Sequence, residues 1–408
     1  MTELTNCRIC KSTHLKMVLD LGEQELTGVF PRTVTQKVTV GKLGLVWCEE
    51  CGLLQMGHSY PLTEMYGMNY GYRSGLNQSM VDHLTNKIHT LEKLANLQVG
   101  DMVVDIGSND CTTLKAYTVP AIRLGVDPTG MKFHEFYPRD VHLIMDFFPT
   151  RKINDLFGGQ KAKIITSIAM FYDLEDPQAF VNGINDLLAE DGIWHLEQSY
   201  MPAMLRQLAY DTVCHEHLEY YSFSVIRKMV EKAGMQIIDV QTNDINGGSF
   251  AVTVCHENAP YKQNWPVVMW TTSQEVKMRL DRPMPYQRFE TRVKQHKRDL
   301  MELLNALVKD GQVILGYGAS TKGNVMLQYC GITTKHIKAI ADVNPDKFGC
   351  FTPGTHIPII SEKEAKAMNP DYFFVFPWHF RNGIIQREKE WMKNGGKFIF
   401  PLPEIEIV

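Results

Sequence analysis

Two Cys-x-x-Cys pairs, Cys7 with Cys10 and Cys48 with Cys51, constrain the start of this 408-residue chain more tightly than any other feature. Each pair sets two thiolates on one tight knuckle, and two knuckles fill the four positions of a tetrahedral Zn²⁺. Four sulfurs leave no open coordination position. Such a site holds a small module together and does no chemistry, so a catalyst has to be sought further along. Residues 1–65 otherwise offer two strand-like stretches, 16–22 and 38–47. So short a segment buries too little to fold well without a metal clip. The other cysteines, Cys111, Cys214, Cys255, Cys330 and Cys350, lack framework spacing. That pattern suits a reducing compartment and predicts a cytoplasmic protein.

Beyond the module the apolar periodicity changes. Met80, Leu84, Ile88 and Leu91 recur at helical spacing. Strand-like runs at 102–106, 121–126, 163–167 and 192–197 then alternate with helical stretches, the rhythm of a parallel sheet covered on both faces. A charged helical connector follows over about 271–310, and a second α/β unit carries strand-like runs at 312–318, 337–342 and 372–376. The expected division is a zinc module (1–65), a doubly wound α/β core (66–255), and the connector with a C-terminal Rossmann-like domain (256–408). A net charge of −4 gives no basic field for nucleic acid or an anionic membrane. The first residues show neither a basic nor an apolar leader, and no apolar run approaches the ~20 residues that span a bilayer.

The first strand of the core runs into Asp105, Gly107, Asn109 and Cys111, a polar turn with a glycine. Doubly wound sheets present such a turn to a nucleotide at the carboxyl end of the strand. Asp127 ends the next strand, where an acid commonly grips ribose hydroxyls. Asp146, Phe147 and Phe148 follow the third, an acid and aromatics able to bracket a purine. The ordered trio resembles the S-adenosylmethionine pocket of class I methyltransferases. There the turn seats the methionine end, the acid binds ribose, and the third segment flanks adenine. Cys111 departs from that pattern, which usually has glycine.

Residues Asp211 to Tyr221 form the second motif, with His215, Glu216 and His217 side by side and Tyr220 and Tyr221 after them. Imidazole suits proton transfer near neutral pH, and a neighbouring carboxylate can orient it. The metalloprotease pattern HExxH fails, because Glu219 stands where its second histidine would be. A four-cysteine module, a methyltransferase core and a His-Glu-His loop together resemble the nucleotide-sugar C-methyltransferases. The likeness extends through residues 19–24, 246–249, 316–323, 342–347 and 353–355. It implies His217 as general base, Glu216 as its substrate-contacting partner with His215 beside them, and either Tyr70 or Tyr72 as an active-site tyrosine. It also implies structural zinc, S-adenosylmethionine as methyl donor, and a nucleotide-linked keto-deoxysugar as substrate. Cys214 stands where this family often has tyrosine, and Tyr172 and Asp173 where a pocket histidine is common.

Gly316 and Gly318 form the turn after the first strand of the C-terminal unit, with Lys322 in the helix it opens and Asp342 at the end of the next strand. Read from the residues, this is a second dinucleotide-like unit for which NAD is a live alternative. The family resemblance turns it into the site for the sugar's nucleotide diphosphate, with Asn246 contributing. Two further alternatives stay open: methylation at oxygen, and an NAD-dependent sugar-modifying enzyme. The expected state is a monomer or homodimer.

Overall fold

The computed structural model describes residues 1–61, 65 and 72–408, and all but the side chain of Asn246 within them. Tyr70 lies outside the described residues. Among the described residues, nineteen strands form four sheets. In the N-terminal module, β1 (Thr2–Glu3) pairs with β5 (His58–Ser59), while β2 (Leu15–Glu25), β3 (Val40–Cys48) and β4 (Leu54–Met56) run antiparallel. The fourth strand of that second sheet is β11 (Glu219–Tyr220), which arrives from the His-Glu-His loop and pairs with β4.

The central sheet contains β6 (Met102–Ile106), β7 (Ile122–Val126), β8 (Val141–Ile144), β9 (Ala162–Ile168), β10 (Leu188–Ser199), β12 (Met235–Asn243) and β13 (Ser249–His256). Its order is β12-β13-β10-β9-β6-β7-β8, parallel except for β13, which is antiparallel to both of its neighbours. β6 is buried along its whole length, as a strand covered on both faces must be. The order reverses between β6 and β9, and a ligand crevice opens at such a switch point beyond the carboxyl ends.

The C-terminal sheet repeats the logic. Its strands are β14 (Ile314–Tyr317), β15 (Ile340–Asp342), β16 (Ile359–Ser361), β17 (Tyr372–Val375), β18 (Lys397–Phe400) and β19 (Glu406–Ile407), in the order β16-β15-β14-β17-β18-β19. This is the Rossmann order, with only β19 antiparallel. The charged connector is two helices, Trp265–Met278 and Met284–Lys309, broken where Arg279 takes a left-handed conformation ahead of Pro283. None of the described helices is long and apolar enough to cross a membrane.

The units share their cores. One apolar cluster joins Leu19, Leu45 and Trp47 of the N-terminal sheet to Leu218 and Tyr220, to Tyr286 and Phe289 of the second connector helix, and to the C-terminal sheet. Another joins Cys7, Cys48 and Leu53 to Trp194, Phe171 and Tyr221 of the central unit.

Candidate active site

One cleft of about 570 Å³ lies over the carboxyl ends of both α/β sheets. Its walls come from the turn after β6, from the His-Glu-His loop, from the turn after β14, and from Gly28 and Phe30 of the N-terminal module.

The turn after β6 needs unusual backbone. Gly107 has φ +76°, and a Cβ there would lie 2.9 Å from Met170. Asn109 and Cys111 are also left-handed, at φ 48° and 67°. Glycine occupies that conformation without the Cβ clash, which accounts for its usual presence where this chain has Cys111. Asp105 is buried at the base of the turn, accepts a 2.6 Å bond from Thr166 Oγ1, and is pushed by burial up to about 7. Asp127 accepts from the backbone N–H of Asn109 (2.7 Å) and of Thr129 (2.6 Å), and from the Thr129 hydroxyl. A carboxylate offers about four lone-pair positions, so one remains for a ribose hydroxyl. The side chain of Asn109, which lines the cleft, accepts from Ser74 N (3.0 Å) and donates to Tyr72 O (3.2 Å). It pins the segment carrying Tyr72, whose side chain reaches the cleft. Asp146 and the half-exposed Phe147 form the outer rim.

His217 donates from Nδ1 to Thr212 O at 2.9 Å, which leaves the lone pair on Nε2. The ring of Tyr172 meets it edge-on at 4.3 Å. Burial and the nearby Lys322 ammonium hold the imidazole down to about 4, so it is neutral at pH 7. Glu216 faces Gly28 so closely that a Cβ there would lie 2.1 Å from Oε1. Burial raises its pKa. His215 points elsewhere. It packs edge-on against Tyr60 at 4.8 Å, lies 3.5 Å from Thr27 Oγ1, and does not line the cleft.

The C-terminal unit mirrors the turn after β6. Asp342 accepts from Ala319 N (2.8 Å) and Asn344 N (2.7 Å), as Asp127 does from Asn109 and Thr129. Gly318, at φ +82°, lines the cleft, whereas Gly316 is buried against Ile340 and Phe376 and does not. Asn246 falls in the turn Ile245–Gly247, of which Ile245 reaches the cleft. Lys322 lies deep in the cleft wall, where burial lowers its pKa and the Asp211 carboxylate opposes that shift. Its charge also reaches His379, which burial holds down to about 3.

Several cleft residues carry no sequence signal. Gly28 and Glu197 come together with the loop only through long-range packing. Glu197 receives His83 Nε2 at 2.6 Å, Lys87 Nζ at 2.8 Å and Asn243 Nδ2 at 2.9 Å. Burial alone would raise its pKa, but the His83 bond and the Lys87 charge prevail and bring it to about 2.

Three domain models match the chain in order. Residues 7–66 match a "Putative zinc binding domain", 81–240 a methyltransferase domain, and 244–403 a C-methyltransferase C-terminal domain. The C-methyltransferase NovU of Streptomyces niveus is 29% identical over 410 residues, spanning 99% of this chain and 97% of that protein. The chain is an S-adenosylmethionine-dependent C-methyltransferase. Carbon, not oxygen, is therefore the methyl acceptor, and the donor is S-adenosylmethionine. Among solved structures, a methyltransferase of Haloferax volcanii in complex with the Trm112 activator covers 44% of this chain and 95% of its own, at 15% identity and TM-score 0.35. Magnesium protoporphyrin IX methyltransferase of Synechocystis PCC 6803, with bound SAM, covers 43% and 79%, at 13% and 0.33. Likenesses that slight add nothing to the site.

The residues present fit both groups. The Sγ atoms of Cys7, Cys10, Cys48 and Cys51 lie within 4.8 Å of one another, with Cys7–Cys51 and Cys10–Cys48 each at 3.5 Å. Tetrahedral Zn–S bonds of ~2.3 Å place sulfurs about 3.8 Å apart. The left-handed turn at Gly107, the remaining acceptor position of Asp127 and the exposed Phe147 ring suit a nucleoside with a bulky substituent.

Proposed function

We propose that the enzyme C-methylates a nucleotide-linked keto-deoxysugar and that His217 is the general base. The observation that carries this reading is one continuous cleft joining the cofactor turn, His217 and the C-terminal turn. The sugar nucleotide's diphosphate lies along Gly318 and the start of the helix Thr321–Cys330, with Asp342 toward its ribose and Asn246 beside the sugar. Asp105, Gly107 and Asn109 form the seat for the methionine end of the cofactor. Asp127 holds its ribose, and Asp146 and Phe147 flank its adenine.

A ketone acidifies the neighbouring C–H. His217 Nε2 takes that proton while Thr212 O holds Nδ1–H, so the ring keeps its orientation as it becomes charged. A pKa held down to about 4 keeps the imidazole unprotonated at working pH. Lys322 sits where an ammonium stabilises the developing enolate oxygen, and burial strengthens that attraction. Glu216 orients a sugar hydroxyl, and the further proton donor is Tyr72, which lines the cleft, or Tyr70. Bound S-adenosylmethionine supplies an electrophilic methyl group and a neutral thioether leaving group. What the chain supplies above all is alignment of two large ligands.

The test is turnover on a panel of nucleoside-diphosphate keto-deoxysugars deuterated next to the carbonyl. Methyl transfer to that carbon with loss of deuterium is expected. His217→Asn should lower kcat by about 10²–10⁴-fold while S-adenosylhomocysteine affinity, read by calorimetry, stays unchanged. Wild-type turnover in the variant rejects His217 as the base.

A further inference from the structure

Arg8 stands inside the first zinc knuckle, between Cys7 and Cys10, and is 2% exposed. Its guanidinium donates to Met56 O at 2.8 Å, to His58 O at 3.2 Å and to Ser59 Oγ at 2.8 Å. Its Nε faces Glu175 at 3.4 Å and Glu219 Oε1 at 3.6 Å. The Glu175 side chain is half exposed, whereas that of Glu219 is fully buried. Burial pushes the Glu219 carboxyl well above the usual carboxylate range, and the neighbouring Arg8 charge opposes that shift.

Glu219 lies two residues after His217, at the start of β11. That strand has only two paired residues, Glu219 with Gln55 and Tyr220 with Leu54, plus the bond from Met56 N to Leu218 O at 2.8 Å. Gln55 in turn accepts from Arg8 N at 3.1 Å. On its other side Glu219 Oε2 accepts from Leu174 N at 3.3 Å, and the amides of Leu218 and Glu219 both reach Tyr172 O, at 2.8 and 3.0 Å. Tyr172 is the residue whose ring lies against His217. A two-residue strand cannot hold its own register, and a planar arginine fork sets direction as well as distance.

We propose that Arg8 and Glu219 are a positioning pair through which the zinc knuckle sets the orientation of His217. A buried Arg–Glu contact is a poor way to add stability, and its use in this chain is to specify one geometry. Zinc holds the knuckle and thereby aims Arg8. Arg8 holds Glu219, and Glu219 holds both the strand that follows His217 and the segment that packs on its ring. The catalytic half of this statement rests on His217 being the base, while the coupling half does not.

The variants are Arg8→Lys, Arg8→Gln and Glu219→Gln in the full-length zinc-loaded protein. Four quantities are read: zinc per chain, S-adenosylhomocysteine affinity, hydrogen exchange of residues 172–174 and 214–221, and kcat against KM. Unchanged zinc and cofactor affinity are expected, with amide protection at 214–221 reduced at least about tenfold. Turnover should fall by about 10–100-fold with little change in KM, as misplacement of a base by ~1 Å implies. Arg8→Lys should recover part of that loss. Removing zinc with a chelator should expose 214–221 before it exposes 102–127. Should Arg8→Gln lose zinc, Glu219→Gln, remote from the knuckle in sequence, decides. Wild-type protection and turnover in Glu219→Gln overturn the proposal. Lost protection with wild-type turnover leaves the coupling standing and instead rejects His217 as the base.

Discussion

Gly28→Ala tests how finely Glu216 has to be placed. The added Cβ would lie 2.1 Å from Glu216 Oε1, 3.4 Å from its Cδ and 3.8 Å from Thr321 Oγ1. Non-bonded heavy atoms rest at ~3.5 Å, so the carboxylate has to retreat by more than about 1 Å. Gly28 has no left-handed φ, so alanine strains no backbone there. The change therefore acts on the site and hardly on the fold. Overpacking costs ~1–3 kcal/mol, and the lower figure applies because the atom that yields is the end of a side chain. A displacement of ~1 Å in a substrate-orienting group lowers turnover by up to about 10²-fold. Steady-state kinetics on the sugar substrate should thus show kcat down about 10–100-fold. S-adenosylhomocysteine affinity should be unchanged and the unfolding midpoint lowered by a few degrees. Turnover within about twofold of wild type would refute the reasoning, because Glu216 would then work equally well from a displaced position.

Asp127→Ala should weaken S-adenosylhomocysteine binding by ~10-fold or more in calorimetry, since it removes the ribose acceptor and frees the turn at Asn109. Unchanged affinity would reject the ribose assignment. Acid should unfold the protein early. Burial holds His195 down to about 3 and His215 to about 4, while an unfolded histidine binds its proton near 6.5. Below pH ~6.5 the unfolded state takes up protons that the folded state cannot, so each of these two histidines removes up to ~1.4 kcal/mol of stability per pH unit until pH nears its folded value. Denaturant titrations at pH 7, 6 and 5 should show a steepening loss, and a flat profile would contradict the burial. Cys111→Val, which puts a β-branched residue at φ 67°, should destabilise by ~1–2 kcal/mol or more. Cys111→Gly should stay close to wild type, because relief of the backbone offsets the lost packing. Equal unfolding midpoints for the two variants would refute this.

The sequence carried some parts of this arrangement openly because their physics is local. Two knuckles of two cysteines bring four sulfurs together through tight turns alone. Alternating strands and helices dictate a doubly wound sheet, and the carboxyl ends of consecutive strands then gather Asp105, Asp127 and Asp146 without further information. Other parts depend on where distant elements meet. Gly28 bears on Glu216 only because the N-terminal module lies across the central unit. His83 and Lys87 converge on Glu197 through helix-on-sheet packing, which no motif announces. His215 and Gly316 share motifs with His217 and Gly318 but face the interior away from the cleft. Adjacency in sequence does not determine which side of a turn a residue takes. The C-terminal motif suggests a diphosphate partner for Lys322, and its place in the first turn of the helix Thr321–Cys330 also lets its charge act on His217, Asp211 and His379.

The sheet that β11 completes joins strands from the first 56 residues to one that lies past the middle of the chain. During synthesis β2, β3 and β4 can pair as soon as they emerge, but the outer edge along Leu54–Met56 stays open until Glu219 arrives roughly 160 residues later. At ~5–20 residues per second that is ~8–33 s with an unpaired, apolar strand edge in solution. The edge is only three residues long, too short to template pairing with another chain over any distance. The module therefore cannot be excised, transplanted or truncated as a bead at the N-terminus. Its last strand also continues directly from the His-Glu-His loop, and the chain closes that sheet only after most of the methyltransferase core has been made.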